Sequence, residues 1–187
     1  MLKEEEKLFL LKLARKVLED FFENKNENYF PSKELKNLWE ERGAFVTLFK
    51  NKKLRGCVGV LEAFSPLYEV IKEMALSAAF KDPRFPPLEA KELPLIEIEI
   101  SVLSPLKKGS IEEIEIGKHG VYLVKGFNRG VLLPQVPLEF GWDRETFLKQ
   151  VCLKAGLEPN CYQDPDSKIY IFTAEIFKES DFRIKSS

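Results

Sequence analysis

The segment LIEIEISVL, Leu95 to Leu103, is the most regular strand pattern in the chain. Its apolar and polar residues alternate, which predicts one buried face and one solvated face. The buried set is Ile96, Ile98, Ile100 and Val102, and the solvated set is Glu97, Glu99 and Ser101. A sheet with one solvated face is usually antiparallel. The other predicted strands come in clusters instead of alternating with helices, so the sequence predicts an α+β fold.

Helices and further strands surround this segment. Residues 4–23 carry apolar side chains at helical spacing, and Ser65-Pro66 starts a helix that must end near Lys81, because three prolines follow. Asp143 is expected to cap a third helix that ends at Gly156. A short helix is predicted after Pro31, and strands at 44–50, 54–61, 121–125, 131–133 and 169–177. The length of 187 residues favours one domain, 1–187, with a candidate lobe boundary at 104–110.

Composition and charge exclude several classes of protein. The 29 basic and 30 acidic residues nearly cancel, which disfavours nucleic-acid binding. The apolar runs are shorter than the roughly 20 residues needed to span a bilayer, so no membrane segment is predicted. A charged fraction of 32% is typical of heat-adapted proteins. ATP-binding, dinucleotide-binding, serine-hydrolase and zinc-protease motifs are not found in the sequence.

The cysteines and the single histidine limit the redox and metal chemistry. Cys57, Cys152 and Cys161 form no CxxC pair, and only His119 could join them as a metal ligand. We therefore expect no disulfide framework, no metal and no cofactor, and a reducing, cytoplasmic location.

The hexapeptide LRGCVG, Leu54 to Gly59, is the first candidate for chemistry. Glycines weaken strands, so Gly56 and Gly59 indicate close approach of a ligand or of another backbone. In a regular strand Arg55 and Cys57 point to the same face, where the guanidinium would favour a thiolate. Cys57 is thus a candidate nucleophile beside an anion-binding arginine. The alternative is a small buried cysteine in a bulged strand, with Arg55 bound to a carboxylate.

Three more segments are candidates for binding or catalysis. The proline-rich loop 81–87 offers Lys81, Asp82 and Arg84 for a ligand, or is a structural corner with Phe85 in the core. His119, in a glycine-bounded turn, is a candidate acid or base or else a solvated turn residue. Gln135, between two prolines, could line a pocket, unless the segment is only a turn and a helix cap.

Taken in order, these segments resemble the AMMECR domain family. The matching pieces run from about residue 8 to 178 and are Gly43–Thr47, Leu54–Gly59, Asp82–Pro87 with Glu92-Leu93, Glu97–Pro105, His119-Gly120, and Leu132–Val136 with Trp142-Asp143. LRGC-x-G is the family's hallmark, and Val58 stands where isoleucine is common. The resemblance implies two unequal lobes around a mostly antiparallel sheet with flanking helices, but it implies no reaction.

The resemblance also suggests partners. Prokaryotic relatives are often encoded or fused with a Memo-type protein and a radical-SAM enzyme, which implies a shared pathway. Two functions stay open. The first is a cysteine-dependent enzyme or carrier, in which Cys57 attacks, Arg55 and Arg84 hold a small anionic group and His119 moves a proton. The second is a non-catalytic adaptor that binds a peptide or partner protein. Nothing in the sequence predicts the oligomeric state.

Overall fold

A computed structural model of the protein describes residues 1–184 and confirms the α+β class. The helices are α1 Glu4–Phe22, α2 Leu67–Phe80, α3 Val136–Phe140 and α4 Arg144–Lys154. The strands are β1 Ala44–Lys50, β2 Lys53–Val60, β3 Ile96–Leu103, β4 Lys107–Lys108, β5 Gly120–Lys125, β6 Asn128–Leu132, β7 Lys168–Phe172 and β8 Ala174–Lys178. Short 3-10 turns lie at Lys36–Trp39, Ala90–Leu95, Ile111–Glu113, Cys161–Gln163 and Glu179–Phe182.

The chain folds into two compact units, each with its own four-stranded sheet. The first unit holds Met1–Leu103 and the segment from Glu175 onward, and the second holds Ser104–Ala174. The strand orders are β2-β1-β3-β8 and β4-β7-β5-β6. The strands thus form two sheets instead of one. The chain enters the second unit at Ser104, the first residue of the segment 104–110, and the single domain 1–187 stays a prediction.

The first unit packs α1 and α2 on one face of its sheet. Antiparallel pairing of β1 with β3 places Val46 opposite Ile100 and Leu48 opposite Ile98, and all four side chains are buried in one apolar cluster with residues of both helices. The second face of β3 differs from the prediction. Ser101, expected in solvent, is fully buried, so this face is covered along part of its length.

A buried ion pair holds the C-terminal segment in the first unit. Arg15 of α1 donates from Nε and Nη2 to the Glu179 carboxylate at 2.9 and 2.7 Å. The same guanidinium donates to the Leu93 and Ile96 carbonyls, and Glu179 accepts the Ile98 N–H at 2.9 Å. These bonds satisfy both charges, which is the condition under which a buried pair is tolerated.

The second unit packs α4 against β5 and β6. As predicted, Asp143 caps α4, since its Oδ1 accepts the Thr146 N–H at 2.8 Å. Gly156 follows the helix with φ at +76°, a left-handed conformation that glycine adopts without strain.

Two sequence predictions about local structure are wrong. The strand predicted at 169–177 is two strands in different sheets, β7 and β8, separated at Thr173. The residue that caps α2 is Pro66, with no side-chain cap, instead of Ser65. After Gln135 the chain forms the short helix α3, ahead of the Asp143 cap of α4.

The expectation about disulfides also needs correction. Cys152 and Cys161 form a disulfide, with a Cα–Cα distance of 5.9 Å. The end of α4 at Gly156 turns the chain back, so that the Cys161 turn reaches the last turn of the helix. Cys57 is the cysteine outside this bond.

Candidate functional site

Cys57 lies on β2, which is an edge strand of the first sheet. Leu48 pairs with Gly56 and Phe49 with Leu54, so Arg55 is an extra residue in a β-bulge. The bulge invalidates the argument that Arg55 and Cys57 share a face as in a regular strand. Cys57 itself is half-buried, and the next residues of β2 are half-buried too.

A row of polar side chains crosses the sheet at Cys57. Thr47 of β1 is opposite Cys57 on one side and opposite Glu99 of β3 on the other. Directly opposed residues of antiparallel strands lie on the same face with Cβ atoms about 5 Å apart. The Thr47 hydroxyl donates to Cys57 Sγ at 3.2 Å. A hydrogen bond to sulfur favours the thiolate over the thiol.

The loop after α2 closes on the backbone of Cys57. Asp82 is buried, and its Oδ2 accepts the Cys57 N–H at 3.0 Å. Arg84 donates to the same carboxylate from Nε at 3.0 Å and from Nη2 at 2.8 Å. The Nη2 of Arg84 also lies 3.4 Å from the Cys57 carbonyl oxygen. The Arg84 hydrogen bonds hold the pKa of Asp82 well below its usual range, against the effect of burial. Asp82 is therefore a carboxylate that positions the loop on β2.

Arg84 is the exposed member of this group. Its side chain is 56% exposed, whereas that of Asp82 is 3% exposed. Its guanidinium lies 5.5 Å from the ring centre of the half-buried Phe85. Lys81, the residue directly after α2, is exposed on the same loop. Arg84 is thus an exposed cation at the edge of β2 next to Cys57, and Lys81 is a second exposed cation on its loop.

Arg55 has a carboxylate partner of its own. Its Nε and Nη2 donate to Glu92 at 3.0 and 3.1 Å, and both side chains are about nine-tenths buried. Hydrogen bonds from Arg55 are the main cause that lowers the pKa of Glu92 to about 2, with a further bond from Lys50. The Nη1 of Arg55 is buried without a hydrogen-bond partner within residues 1–184. Arg55 thus binds Glu92 through two of its nitrogens, which agrees with the alternative that Arg55 is bound to a carboxylate.

The two glycines of the hexapeptide allow other residues of the protein to pack directly against the backbone of β2. A Cβ on Gly56 would overlap the Ala78 carbonyl oxygen of α2, so Gly56 permits close packing of β2 on the helix. A Cβ on Gly59 would overlap the Phe45 ring and the Ala44 carbonyl oxygen. Close backbone approach, one of the two interpretations of these glycines, therefore occurs at both positions.

The remaining candidates belong to the second unit. The ring Nδ1 of His119 accepts the Glu115 backbone N–H at 3.0 Å. The backbone N–H of His119 donates to the Glu115 backbone carbonyl. The imidazole is thus built into the turn through Nδ1, and its ring is half-buried. Gln135 is the half-buried residue that precedes α3, and its carbonyl accepts the Glu139 N–H. The catalytic role of His119 and the binding role of Gln135 stay predictions.

Residues 1–184 contain no cluster of three or more histidine, cysteine, aspartate or glutamate side chains suited to a metal ion. Among the described helices, none has the length and apolar character needed to cross a bilayer.

Sequence reasoning missed three side chains at the site. Thr47 sits in an apolar strand, Glu99 on a face assigned to solvent, and Glu92 beyond the proline loop. Only the strand register brings Thr47 and Glu99 into line with Cys57. The one signal in the sequence was that Thr47 alternates with the apolar Val46 and Leu48, which places it on the opposite face of β1.

Comparison with other proteins supports a common family. The AMMECR1 family model matches residues 11–177. A protein of Thermococcus gammatolerans is 46% identical over 182 residues, which cover 91% of this chain and 89% of that protein. One from Methanopyrus kandleri is 46% identical and covers 95% of this chain and 90% of its own length.

A solved structure is similar over nearly the whole chain. The crystal structure of uncharacterized protein PH0010 from Pyrococcus horikoshii has a TM-score of 0.87 and 42% identity. The alignment covers 95% of this chain and 93% of that one. The chain therefore belongs to the AMMECR1 family.

Proposed function

We propose that this protein is a cysteine-dependent enzyme or carrier in which Cys57 is the nucleophile. The observation that carries the proposal is the hydrogen bond from the Thr47 hydroxyl to Cys57 Sγ at 3.2 Å. A buried structural cysteine is normally surrounded by hydrocarbon, whereas Cys57 is a half-buried residue whose sulfur has a hydroxyl donor beside it. The donor stabilises negative charge on sulfur, which is the form that attacks an electrophile.

A small anionic group is the substrate feature that the loop supports best. Arg84 is more than half exposed and reaches the Cys57 backbone, and Lys81 is exposed on the same loop. Asp82 holds the guanidinium in place, so less side-chain entropy is lost on binding. Proton transfer by His119 is part of the proposal as a prediction from the sequence.

Alkylation of the native protein tests the proposal. Iodoacetamide at neutral pH should modify Cys57, and peptide mass spectrometry should find the label there, while Cys152 and Cys161 stay protected by their bond. A Cys57→Ser variant provides the blank. If Cys57 stays unlabelled while the protein is folded, the thiol is inert and the proposal fails.

The hydroxyl donor can be tested separately. Thr47→Val keeps the shape of the side chain and removes the hydrogen bond, so we expect the alkylation rate to fall roughly threefold to tenfold near neutral pH. Thr173→Val makes the same change at an exposed position and should leave the rate unchanged. An unaltered rate in Thr47→Val would show that the hydroxyl does not activate the sulfur.

A non-catalytic adaptor is the second candidate function. Exposed aromatic side chains favour it: Phe127 is fully exposed, and the stacked pair of Phe140 and Trp142 has Phe140 at 63% exposure. Large apolar side chains at a surface are typical of partner binding. The Memo-type and radical-SAM proteins of the proposed pathway are the partners to try. Co-purification of neither with the intact chain would count against an adaptor role.

A cytoplasmic location belongs to the same proposal. A nucleophilic thiol outside a disulfide is more easily maintained in a reducing compartment. The Cys152–Cys161 bond is compatible with this location, because intracellular proteins of heat-adapted organisms also contain disulfides.

A further inference from the structure

The edge of β2 presents backbone hydrogen-bonding groups away from β1. In an antiparallel pair, every second residue points its N–H and C=O away from the neighbouring strand. Cys57 is such a residue, because its N–H donates to Asp82 and its carbonyl lies 3.4 Å from Arg84 Nη2. Gly59 follows two residues later in the same register, so its N–H and C=O also point outward.

The two positions differ in what meets these groups. At Cys57 a carboxylate and a guanidinium take the places that a neighbouring strand would fill, so the edge is closed there. At Gly59 neither backbone group has a hydrogen-bond partner in the part of the chain that the structure describes. Gly59 is half-buried, and the Phe45 ring fills the space that its side chain would take, so the open groups at this position are its outward N–H and C=O.

The exposed charged group beside this open position is the guanidinium of Arg84. Arg84 closes the edge at Cys57 with 56% of its side chain exposed, and Lys81 is exposed at the start of the same loop. Asp82 is buried and already accepts three hydrogen bonds from Arg84 and one from Cys57. A negatively charged group at this end of the edge would therefore meet the Arg84 guanidinium, whose own carboxylate partner is buried.

We propose that the edge of β2 at Gly59 binds the C-terminal residue of an extended polypeptide. The bound chain runs antiparallel to β2, so its last residue donates its N–H to the Gly59 carbonyl and accepts the Gly59 N–H with one carboxylate oxygen. The other carboxylate oxygen faces Arg84. The Asp82–Arg84 pair occupies the next position on the strand, which requires the bound chain to end there.

This inference does not depend on the reactivity of Cys57, although it would supply the proposed enzyme or carrier with a polypeptide terminus as its anionic substrate. The two proposals fail separately. Docking is measured at the Gly59 amide with an unreactive peptide, whereas nucleophilicity is measured by alkylation of Cys57.

The test uses the full-length protein labelled with nitrogen-15 and three hexapeptides of alternating threonine and valine. One has a free C-terminal carboxylate, one a C-terminal amide, and one a free carboxylate with an N-methylated last residue. We expect the first to shift the Gly59 amide resonance saturably, with affinity at least about tenfold higher than the amide peptide. The N-methylated peptide should not bind, because it lacks the donor for the Gly59 carbonyl.

Two variants locate the carboxylate. Arg84→Gln should abolish the preference for the free carboxylate, while Lys81→Gln, a matched loss of charge on the same loop, should largely keep it. The spectrum of each variant shows whether the first sheet stays folded. No saturable shift at Gly59 with the free-carboxylate peptide overturns the proposal, and so does equal affinity for the amide peptide.

Discussion

Replacing Glu92 by glutamine should destabilise the first unit by roughly 2 kcal/mol. The Glu92 carboxylate binds Arg55 through two bonds of 3.0 and 3.1 Å and Lys50 through one of 2.9 Å. Its pKa of about 2 against an ordinary 4.5 corresponds to at most about 3 kcal/mol. The 34% exposure of Lys50 reduces this to about 2 kcal/mol by solvent screening. This figure already contains the loss of the counter-charge of Arg55, because hydrogen bonds from Arg55 are the main cause of the pKa shift.

The pH dependence of unfolding identifies the cause. Because the pKa of Glu92 is lower in the folded state, its stabilisation is fully present above 4.5 and is lost as the pH falls towards about 2. Guanidinium unfolding at pH 7 and pH 3 should therefore show the Glu92→Gln deficit shrinking at the lower pH. Glu73→Gln, the same change at an exposed site of α2, should have an effect below about 0.5 kcal/mol. A Glu92→Gln deficit below about 1 kcal/mol at pH 7 would refute the reasoning.

Three more stability predictions follow from the packing and cross-links. Arg15→Met strands a buried carboxylate and should cost about 3–5 kcal/mol in chemical unfolding, and a loss below about 1 kcal/mol would contradict the buried pair. Joint replacement of Cys152 and Cys161 by serine removes a link across a sequence separation of 9. The variant should be about 2–3 kcal/mol less stable than the oxidised parent protein, and almost as stable as the parent protein after reduction of its disulfide. Gly56→Ala should lower the melting temperature strongly because its Cβ overlaps the backbone of α2, whereas Gly126→Asn, in open space, should change it little.

Local sequence signals predicted most helices and strands. The strict alternation of 95–103 located β3, helical spacing located α1, and Asp143 with Gly156 bracketed α4. These features depend on neighbours a few residues apart, which is the range over which periodicity and capping act.

Features set by distant parts of the chain were not predictable. The break at Thr173 arises because β7 and β8 join different sheets, while the residues on both sides remain equally strand-like. The bulge at Arg55 depends on the strand register. The ion pair of Arg55 depends on Glu92, which lies 37 residues away in the 3-10 turn Ala90–Leu95. The hexapeptide predicted where the site lies, but not that Thr47 would be the group beside the sulfur.

The measurement that tests the central claim most directly is the rate of Cys57 alkylation in the folded protein compared with the same protein in denaturant, both at pH 7. If the sulfur is accessible and its thiolate is stabilised by Thr47, the native rate should equal or exceed the denatured rate. A native rate lower by about a hundredfold would mean that the thiol reacts only when the protein opens, and Cys57 would then be a packed residue without a nucleophilic role.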